Sequence, residues 1–360
     1  MAEKENSNRV MKWDNAKCIL IFFVVLGHLI NETVTYTYDP DLAILEKINF
    51  FIYTFHMPAF IFISGLFSKK TVENKRYDKI GSYLRLYFVM TFIVFFSKFI
   101  IRGRAPYSLM YELGVPWYAL SLFSMFLIMI FLRSYNKTEV MIGVIVLGAL
   151  IGYDRRAGSF LCLSRTLTFL PFFVLGYYLD IKKLVEFLEQ KIVKIVSAVI
   201  LVVYAVAMSL NIEKVYYLYK NFFKGRSTYK GTFKIAIVGE GFNSFGWLYR
   251  IIYYLLVIVL IMAFFSIVPN TKTVLSKLGS RTLPVFAIHY GVVFIIVNLG
   301  FSGFVKDAPN QWVGLLIIAV VALLIQLILS VKPLADLFLK MMSTNKSVSA
   351  NITQGEKTQK

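Results

Sequence analysis

Cysteine and histidine are both rare in this chain, whose 360 residues include two Cys and three His. Neither Cys18 nor Cys162 belongs to a Cys-x-x-Cys pair, and neither shows the spacing of a metal ligand. The sequence therefore predicts two buried thiols, no disulfide framework and no metal site.

Three motifs of well-known enzyme classes are absent as well. The chain has no GxxxxGK[ST] phosphate-binding loop, no GxSxG nucleophile motif and no HExxH zinc motif. Their absence argues against an ATP-driven pump, an α/β-hydrolase and a zinc metalloprotease.

Charge is scarce and unbalanced, since only 16% of residues are charged and 20 acidic residues face 39 basic ones, for a net charge of +19. In a soluble protein this excess would suggest nucleic acid as a partner. Here 58% of the residues are hydrophobic, with 33 Phe and 22 Tyr, which is too apolar for a soluble globule of this length. The sequence thus predicts an integral membrane protein whose partners do not include nucleic acid.

Ten apolar segments approach the length of about 20 residues that a helix needs to cross a bilayer. We therefore expect an all-α, polytopic membrane bundle of about ten transmembrane helices. Residues 1–335 form one transmembrane domain in this interpretation, and residues 336–360 form a disordered cytoplasmic tail. The predicted spans are 16–36, 48–68, 82–101, 117–132, 139–153, 163–180, 192–210, 247–268, 283–301 and 312–331.

The basic residues predict the orientation of these helices. With the N-terminus inside, the inner segments hold 24 Lys and Arg, and the outer segments hold 15, of which seven lie in or beside the loop 211–247. Because short cytoplasmic loops carry the excess of Lys and Arg, we expect both termini in the cytoplasm of a bacterial cell, with the protein in the plasma membrane. The segment 239–247 would then be an outer loop, where Glu240 and Asn243 are candidates for binding sugar hydroxyls.

The first predicted helix carries three ionisable residues on one face. Lys17 and His28 are eleven residues apart, which is three turns and ~16 Å along the axis. Asp14 precedes Lys17 by three residues and is placed to pair with it. An ionisable group deep in a spanning helix is costly and normally faces a cavity or another helix, so His28 is a candidate functional residue. The alternative is that a neighbouring hydroxyl satisfies this histidine.

The second helix contains His56 just before Pro58. A proline removes the hydrogen bond to the carbonyl four residues earlier, that of Thr54. His56 lies at a depth similar to that of His28, which suggests a shared polar chamber and makes His56 a second candidate catalytic residue. In the alternative, His56 only caps the freed carbonyl, and Ser64-Gly65 only permits close helix packing. The third histidine, His289, taken alone, is predicted to be structural.

Six cations crowd the segment 69–85 between the second and third helices. Four of them, Lys75, Arg76, Lys79 and Arg85, lie around an expected helix start near Ser82, where helix N-termini and guanidinium groups suit phosphate groups. The alternative is that these cations mark topology or contact anionic lipid. The charge pattern alone leaves both interpretations open.

Several short motifs follow one another in a recognisable order. They are Asp14-x-x-Lys17-x10-His28, Phe55-His56-Met57-Pro58 with Phe62-x-Ser64-Gly65, Trp117-Tyr118-x-Leu120, Phe172-Phe173-x-Leu175-Gly176-Tyr177, and Leu278-Gly279-x-Arg281-Thr282 before His289. In this order they resemble the acyltransferase 3 family of membrane O-acyltransferases, over roughly residues 9–331. The resemblance is strongest to its fucose 4-O-acetylases and capsular polysaccharide O-acetyltransferases.

This resemblance implies a membrane enzyme that moves an acetyl group from cytoplasmic acetyl-CoA to a hydroxyl of a cell-surface polysaccharide or its lipid-linked precursor. The family's functional pair, a basic residue and a histidine, would be Lys17 and His28, although many members have Arg at the first position. A sugar hydroxyl needs a general base, and a neutral imidazole suits that role, so His28 is the expected base. Lys17, held by Asp14, would act on a donor phosphate or on the developing oxyanion.

Two further expectations complete this interpretation. The family's donor makes the cluster of Lys75, Arg76, Lys79 and Arg85 a candidate site for the phosphates of coenzyme A. The alternative function is a polysaccharide exporter or flippase without acyl transfer. A transporter often shows repeat symmetry or broken helices at matched positions, which this sequence lacks.

Overall fold

A computed structural model describes residues 10–34, 40–112, 114–212, 222–226, 228–230 and 244–342. Within these residues the structure consists of helices and turns, with one isolated β-bridge. The helices are α1 Met11–Thr33, α2 Ala43–Leu66, α3 Lys69–Glu73, α4 Tyr77–Arg102, α5 Trp117–Leu132, α6 Lys137–Leu150, α7 Leu163–Tyr178, α8 Ile181–Leu188, α9 Lys191–Leu210, α10 Gly246–Ile267, α11 Val274–Gly279, α12 Thr282–Ile296, α13 Ser302–Lys306, α14 Gln311–Leu329 and α15 Lys332–Met342.

Each of the ten predicted segments contains a helix, which confirms the all-α fold. Among the described residues, seven helices are long and apolar enough to cross a membrane: α1, α2, α4, α9, α10, α12 with its extension, and α14. The other three, α5, α6 and α7, have 16, 14 and 16 residues, which is less than the thickness of a bilayer requires.

Burial distinguishes the central helices from the peripheral ones. In α1 and α2, 61% and 67% of the apolar window is buried inside the protein, whereas the value for α9 is only 11%. A spanning helix that buries so little of its apolar surface against protein presents the rest to lipid. The first two helices, which carry His28 and His56, therefore form the centre of the bundle.

Helix α2 packs against α7 through two glycines. A Cβ atom at Gly65 would collide with the backbone of Phe173, and one at Gly176 would collide with the backbone of Phe62. Small residues let two backbones approach closely, and this close approach replaces the hydrophobic driving force that is missing in lipid. The prediction that Ser64-Gly65 allows close packing is confirmed.

Pro58 leaves the carbonyl of Thr54 without its helical partner, and the hydroxyl of Tyr253 in α10 donates to that carbonyl at 3.1 Å. The alternative in which His56 caps this carbonyl is wrong. Nδ1 of His56 instead contacts the carbonyl of Ile52 at 2.6 Å, because a side chain in a helix reaches the preceding turn. The imidazole of His56 therefore does not cap the carbonyl of Thr54.

The start of α1 is anchored against the end of α10. The ammonium of Lys12 donates to the carbonyls of Phe265 and Val268 at 2.7 and 2.6 Å, and it forms an ion pair with Glu189 at 2.8 Å. A cation is favourable at a helix C-terminus, where carbonyls lack partners. Burial would raise the pKa of Glu189, but hydrogen bonds from Lys12 and Lys194 outweigh it and hold this pKa below its ordinary value. Because Lys17 also lies near this end of α1, we call this end of the bundle the Lys17 end.

The opposite end, where α4 stops at Arg102, contains a segment that folds back into the bundle. The hydroxyl of Tyr87, about 22 Å along α4 from Arg102, donates to the carbonyl of Leu109 at 2.9 Å. The backbone of the segment 103–112 is also bonded to that of residues 159–161. Non-helical backbone at this depth is tolerated when it is enclosed by protein or lines a cavity. We call this end the Arg102 end.

The last described helix includes residues that the sequence assigned to a disordered tail. Residues 336–342 belong to α15, whose Ala335 and Phe338 are buried against α4 and α12, so the prediction of disorder from residue 336 is wrong for these seven residues. The apolar face of this short helix was too brief to stand out in the sequence. Residues 343–360, together with Glu240 and Asn243, lie outside the described residues.

Candidate active site

A cavity of about 130 Å³ lies inside the bundle, with room for several water molecules or a small ligand group. Its polar lining comes from five parts of the chain, and apolar side chains such as Val24, Phe169 and Phe286 complete the wall. The two predicted histidines meet here, which agrees with the expected polar chamber. The polar lining residues are His28, Tyr53, His56, Arg165, Lys224 and Tyr290.

His28 is the histidine most exposed to this cavity. Its side chain is partly exposed, whereas His56 and His289 are buried. Counted along α1, His28 is five residues, or about 8 Å, from the end at Thr33. Its Nδ1 is buried and has no hydrogen-bond partner among the described residues. Among the described histidines, His28 is therefore the one best placed to meet a ligand.

His289 lies next to His28, a proximity that its sequence context did not reveal. The two rings are 5.3 Å apart between centroids. Nδ1 of His289 lies 2.8 and 2.9 Å from the carbonyls of Val285 and Phe286, so in the neutral ring that nitrogen carries the proton and Nε2 is an acceptor. This Nε2 is buried and has no partner within the described part of the chain. Two unsatisfied imidazole nitrogens thus belong to adjacent rings.

Arg165 brings a positive charge to the cavity wall. Its guanidinium pairs with Glu112 at 3.0 Å and lies 4.6 Å from the ring centroid of Trp117. Glu112 and Trp117 are buried. Nε of Arg165 has no hydrogen-bond partner among the residues described. The turn before α7 aims this side chain inward, with Leu161 and Cys162 in the left-handed region at φ of 46° and 56°. Such strained backbone is often found at functional sites.

Cys162 lies close to this arginine, and its chemistry is that of an ordinary thiol. Burial raises the pKa of the Cys162 thiol to about 12, so the nucleophilic thiolate is not formed near neutral pH. Both Cys18 and Cys162 are free and buried, as the sequence predicted. Within the described residues, no group of three His, Cys, Asp or Glu side chains is arranged to hold a metal ion.

Lys17 and Asp14 form the predicted pair but do not line the cavity. Their ammonium and carboxylate are 2.8 Å apart, in the i, i+3 relation that the sequence indicated. Asp14 is buried and Lys17 is partly exposed, at the Lys17 end of the bundle. The position of Lys17 on α1 is ~16 Å along the axis from that of His28. A direct role at the same reacting atom as His28 is therefore not supported by this arrangement.

The predicted phosphate cluster also lies towards the Lys17 end. Lys75, Arg76, Lys79 and Arg85 are all exposed, and Arg76 pairs with Asp78 at 3.2 Å. Helix α4 begins at Tyr77 rather than near Ser82, so Lys79 and Arg85 are inside the helix. At 100° per residue these two side chains leave the axis about 120° apart, which separates Arg85 from the others.

The comparisons with known proteins gave one result. A family model described as an acyltransferase domain, Acyl_transf_3, matches residues 12–331. The matched region begins with α1 and ends just after α14, so it contains every residue that lines the cavity. Searches of curated proteins and of solved structures found no match for this chain. Because the family model covers most of the sequence, the chain belongs to the Acyl_transf_3 family of membrane acyltransferases.

Proposed function

We propose that this protein transfers an acetyl group from cytoplasmic acetyl-CoA to a hydroxyl of a cell-surface polysaccharide or its lipid-linked precursor. The observation that carries the proposal is the cavity in which two partly exposed side chains, the imidazole of His28 and the guanidinium of Arg165, face the same space. Within a membrane acyltransferase, this pairing supplies the two groups that acyl transfer to an alcohol requires.

The first requirement is a proton acceptor. A sugar hydroxyl has a pKa far above neutral, so it attacks a thioester only when a base removes its proton during the attack. In our proposal a nitrogen of His28 takes this proton. A hydrogen bond between Nδ1 of His28 and the free Nε2 of His289, formed by a small rotation of the rings, would leave Nε2 of His28 as the acceptor.

The second requirement is stabilisation of the negative charge that develops on the thioester oxygen. Arg165 supplies a fixed cation at the cavity wall, oriented by Glu112 and by the ring of Trp117. Preorganised donors in a site shielded from water contribute much of the rate in acyl transfer. This assignment gives Arg165 the oxyanion role that the sequence suggested for Lys17.

The donor is proposed to enter from the Lys17 end. The phosphates of coenzyme A are separated from its thioester by the extended pantetheine arm, so they bind at a distance from the reacting carbon. Lys17, Lys75, Arg76 and Lys79 are cations at this end of the bundle and suit such phosphates. The exposed members of this set also suit anionic lipid, and a binding measurement separates the two: charge reversal at Lys75 and Arg76 weakens binding of acetyl-CoA only in the first case.

Isotope transfer tests the proposed function. Membranes with and without the protein are given acetyl-CoA labelled in the acetyl group, and the surface glycan is then isolated. We expect label in the glycan only with the protein, and release of that label by mild alkali, as an ester requires. Glycan that stays unlabelled, and that reaches the cell surface only in cells with the protein, would instead support the exporter alternative.

A further inference from the structure

A pocket of about 360 Å³ opens at the Arg102 end, outside the histidine cavity. Its size is at the lower end of the range of about 300–1,000 Å³ for small-ligand sites. Three of its five lining residues are cations, Lys98, Arg102 and Arg104, and the other two are Ala105 and Pro106. We call it the basic pocket.

The end of α4 brings the three cations together. Lys98 and Arg102 are four residues apart and share a face of the helix. Gly103 then ends the helix in the left-handed region at φ 64°, which turns the chain so that Arg104 joins the same pocket. Leucine or valine at position 103 would adopt this conformation only with strain.

Two of these cations, Lys98 and Arg102, lie over aromatic rings. The ammonium of Lys98 lies 6.0 Å from the ring centroid of Tyr290, and the guanidinium of Arg102 lies 4.8 Å from that of Phe294. Among the described residues, no carboxylate forms an ion pair with Lys98, Arg102 or Arg104. The pocket thus concentrates positive charge and leaves guanidinium hydrogens available to a ligand.

One acidic residue interacts with this group. Glu32 accepts a hydrogen bond from Tyr290 at 3.0 Å and exerts an electrostatic attraction on Lys98. Three cations and one carboxylate leave a balance of two positive charges. A phosphate monoester carries about −1.5 to −2 at neutral pH, which matches this balance better than a single carboxylate does.

A narrow gap lies between the basic pocket and the wall of the histidine cavity. Lys98 and Pro106 also line a narrow gap of about 10 Å³, which reaches Pro116. The neighbours of Pro116, Val115 and Trp117, line the histidine cavity, and so does Tyr290 below Lys98. A ligand held by its phosphate at Lys98 would therefore place the adjoining sugar next to the wall of the cavity.

From this arrangement we infer that the basic pocket binds the phosphate of a phosphorylated sugar acceptor, whose hydroxyl then receives the acyl group at His28. The inference rests on the proposed function and names the charge of the acceptor. With both termini in the cytoplasm, the Arg102 end faces outwards. Lys and Arg are disfavoured in short outer segments. The charge bias that orients membrane proteins therefore does not explain three cations within seven residues at this end.

A binding experiment tests the inference without turnover. The purified protein in an uncharged detergent is equilibrated with labelled glucose 1-phosphate, and with glucose as the neutral comparison. We expect glucose 1-phosphate to bind more tightly than glucose. The double substitution Arg102→Gln with Arg104→Gln should weaken its binding at least about tenfold, because two charge-assisted hydrogen bonds are lost.

The matched control replaces Arg155 and Arg156 by Gln, since these are two exposed arginines at the same end of the bundle. It should leave the binding of glucose 1-phosphate unchanged. Equal binding by the wild type and the Arg102→Gln, Arg104→Gln variant would overturn the inference, and so would equal affinity of the wild type for glucose and glucose 1-phosphate. Because binding is measured without acyl transfer, such a result is separate from a failure of the isotope assay.

A second arm distinguishes a sugar phosphate from a lipid headgroup. The same binding is measured in bilayer discs of phosphatidylcholine, with and without phosphatidylglycerol. Binding of glucose 1-phosphate that persists in the anionic bilayer supports a sugar-phosphate site. Displacement by phosphatidylglycerol in the wild type would overturn it and assign the basic pocket to anionic lipid.

Discussion

At the scale of single residues, the proposed chemistry depends most on the imidazole of His28. Replacement by Gln keeps the size and some of the hydrogen bonding but removes the proton acceptor. Loss of a general base costs roughly 10²- to 10⁴-fold in rate, whereas loss of one intramembrane hydrogen bond costs only about 0.6 kcal/mol of stability. We expect His28→Gln to be produced and inserted at normal levels, and to show almost no acetyl transfer in the isotope assay.

The amount of residual activity decides this prediction. If His28→Gln keeps more than about a tenth of the wild-type transfer rate, the loss is too small for a general base. His56 then becomes the leading candidate, since it lines the same cavity and its Nδ1 is already bonded to the carbonyl of Ile52. The matching substitution His56→Gln, assayed in the same membranes, would identify the base.

His289 is predicted to act through His28. The sequence alone suggests that His289→Gln affects activity least, but the ring of His289 is 5.3 Å from that of His28 and its free Nε2 can orient the base. Partners that orient a functional histidine are typically worth roughly 10- to 100-fold. We expect His289→Gln to lower kcat by that factor with little change in KM for acetyl-CoA, measured in membranes of matched protein content.

A double substitution separates positioning from structure. If His289 works only through His28, the variant with both residues changed to Gln is no less active than His28→Gln alone, since residues that act as a unit are not additive. Losses that multiply, together with a lower melting temperature of His289→Gln, would show that His289 supports the fold instead.

Arg165 is the residue on which the oxyanion proposal depends. Removing one oxyanion donor typically lowers kcat by about 10²- to 10³-fold. We expect Arg165→Gln to show this loss and Arg165→Lys to recover part of it, because the charge is kept and the planar fork is lost. Binding of acetyl-CoA should change little in both variants, and an equal loss of donor binding would contradict the assigned role.

At the scale of helices, the contact between α2 and α7 should tolerate no added methyl group. In Gly65→Ala the Cβ meets the backbone of Phe173, which has no freedom to move aside. Overpacking of this kind costs typically 1–3 kcal/mol. We expect a lower melting temperature in detergent and loss of activity, since α2 carries His56 and α7 carries Arg165.

Gly143 in α6 provides the matched control, because a Cβ there meets nothing within 4 Å. Alanine is the better helix former by about 0.5–1 kcal/mol, so Gly143→Ala should unfold at the same or a slightly higher temperature. If Gly65→Ala unfolded at the same temperature as the wild type, α2 and α7 could move apart without a loss of stability, contrary to the packing in the structure.

The sequence predicted the helices better than it predicted the contacts between them. Hydrophobic runs indicate each helix on its own, and eleven residues on one helix fix the relation of Lys17 to His28 without further information. The pair of Glu112 with Arg165 joins a loop and a helix that are more than fifty residues apart in sequence. The hydrophobic periodicity of a single helix does not predict such a contact. The position of Arg165 at the cavity wall could therefore not be predicted from the sequence.

Proline 58 shows a second limit of the same kind. Its presence predicts a carbonyl without a partner at Thr54, and the nearest polar side chain in sequence is His56. The actual donor is Tyr253, which comes from a helix almost two hundred residues later. The local sequence thus predicts that a backbone carbonyl needs a hydrogen-bond donor, and only the tertiary structure identifies that donor.

At the scale of the whole molecule, the two ends of the bundle differ in what they offer. The Lys17 end carries Lys75 and Arg76 on the surface, where a donor with phosphates could dock. The Arg102 end contains the basic pocket and the inserted segment 103–112, next to the histidine cavity. An enzyme that takes its donor from one side and its acceptor from the other needs such an asymmetry, and the orientation of the chain decides which side each substrate occupies.

We predict that the Lys17 end faces the cytoplasm. Single cysteines are placed at Asn74, which is exposed near the Lys17 end, and at Arg155, which is exposed at the Arg102 end, in a background where Cys18 and Cys162 are Ser. On intact cells a membrane-impermeant maleimide should label position 155 and leave position 74 unlabelled until the membrane is broken. The two sites are matched because both are exposed polar positions between helices. Labelling of 74 with protection of 155 would reverse the orientation, and the basic pocket would then face the cytoplasm, where the phosphates of coenzyme A would be its natural ligand.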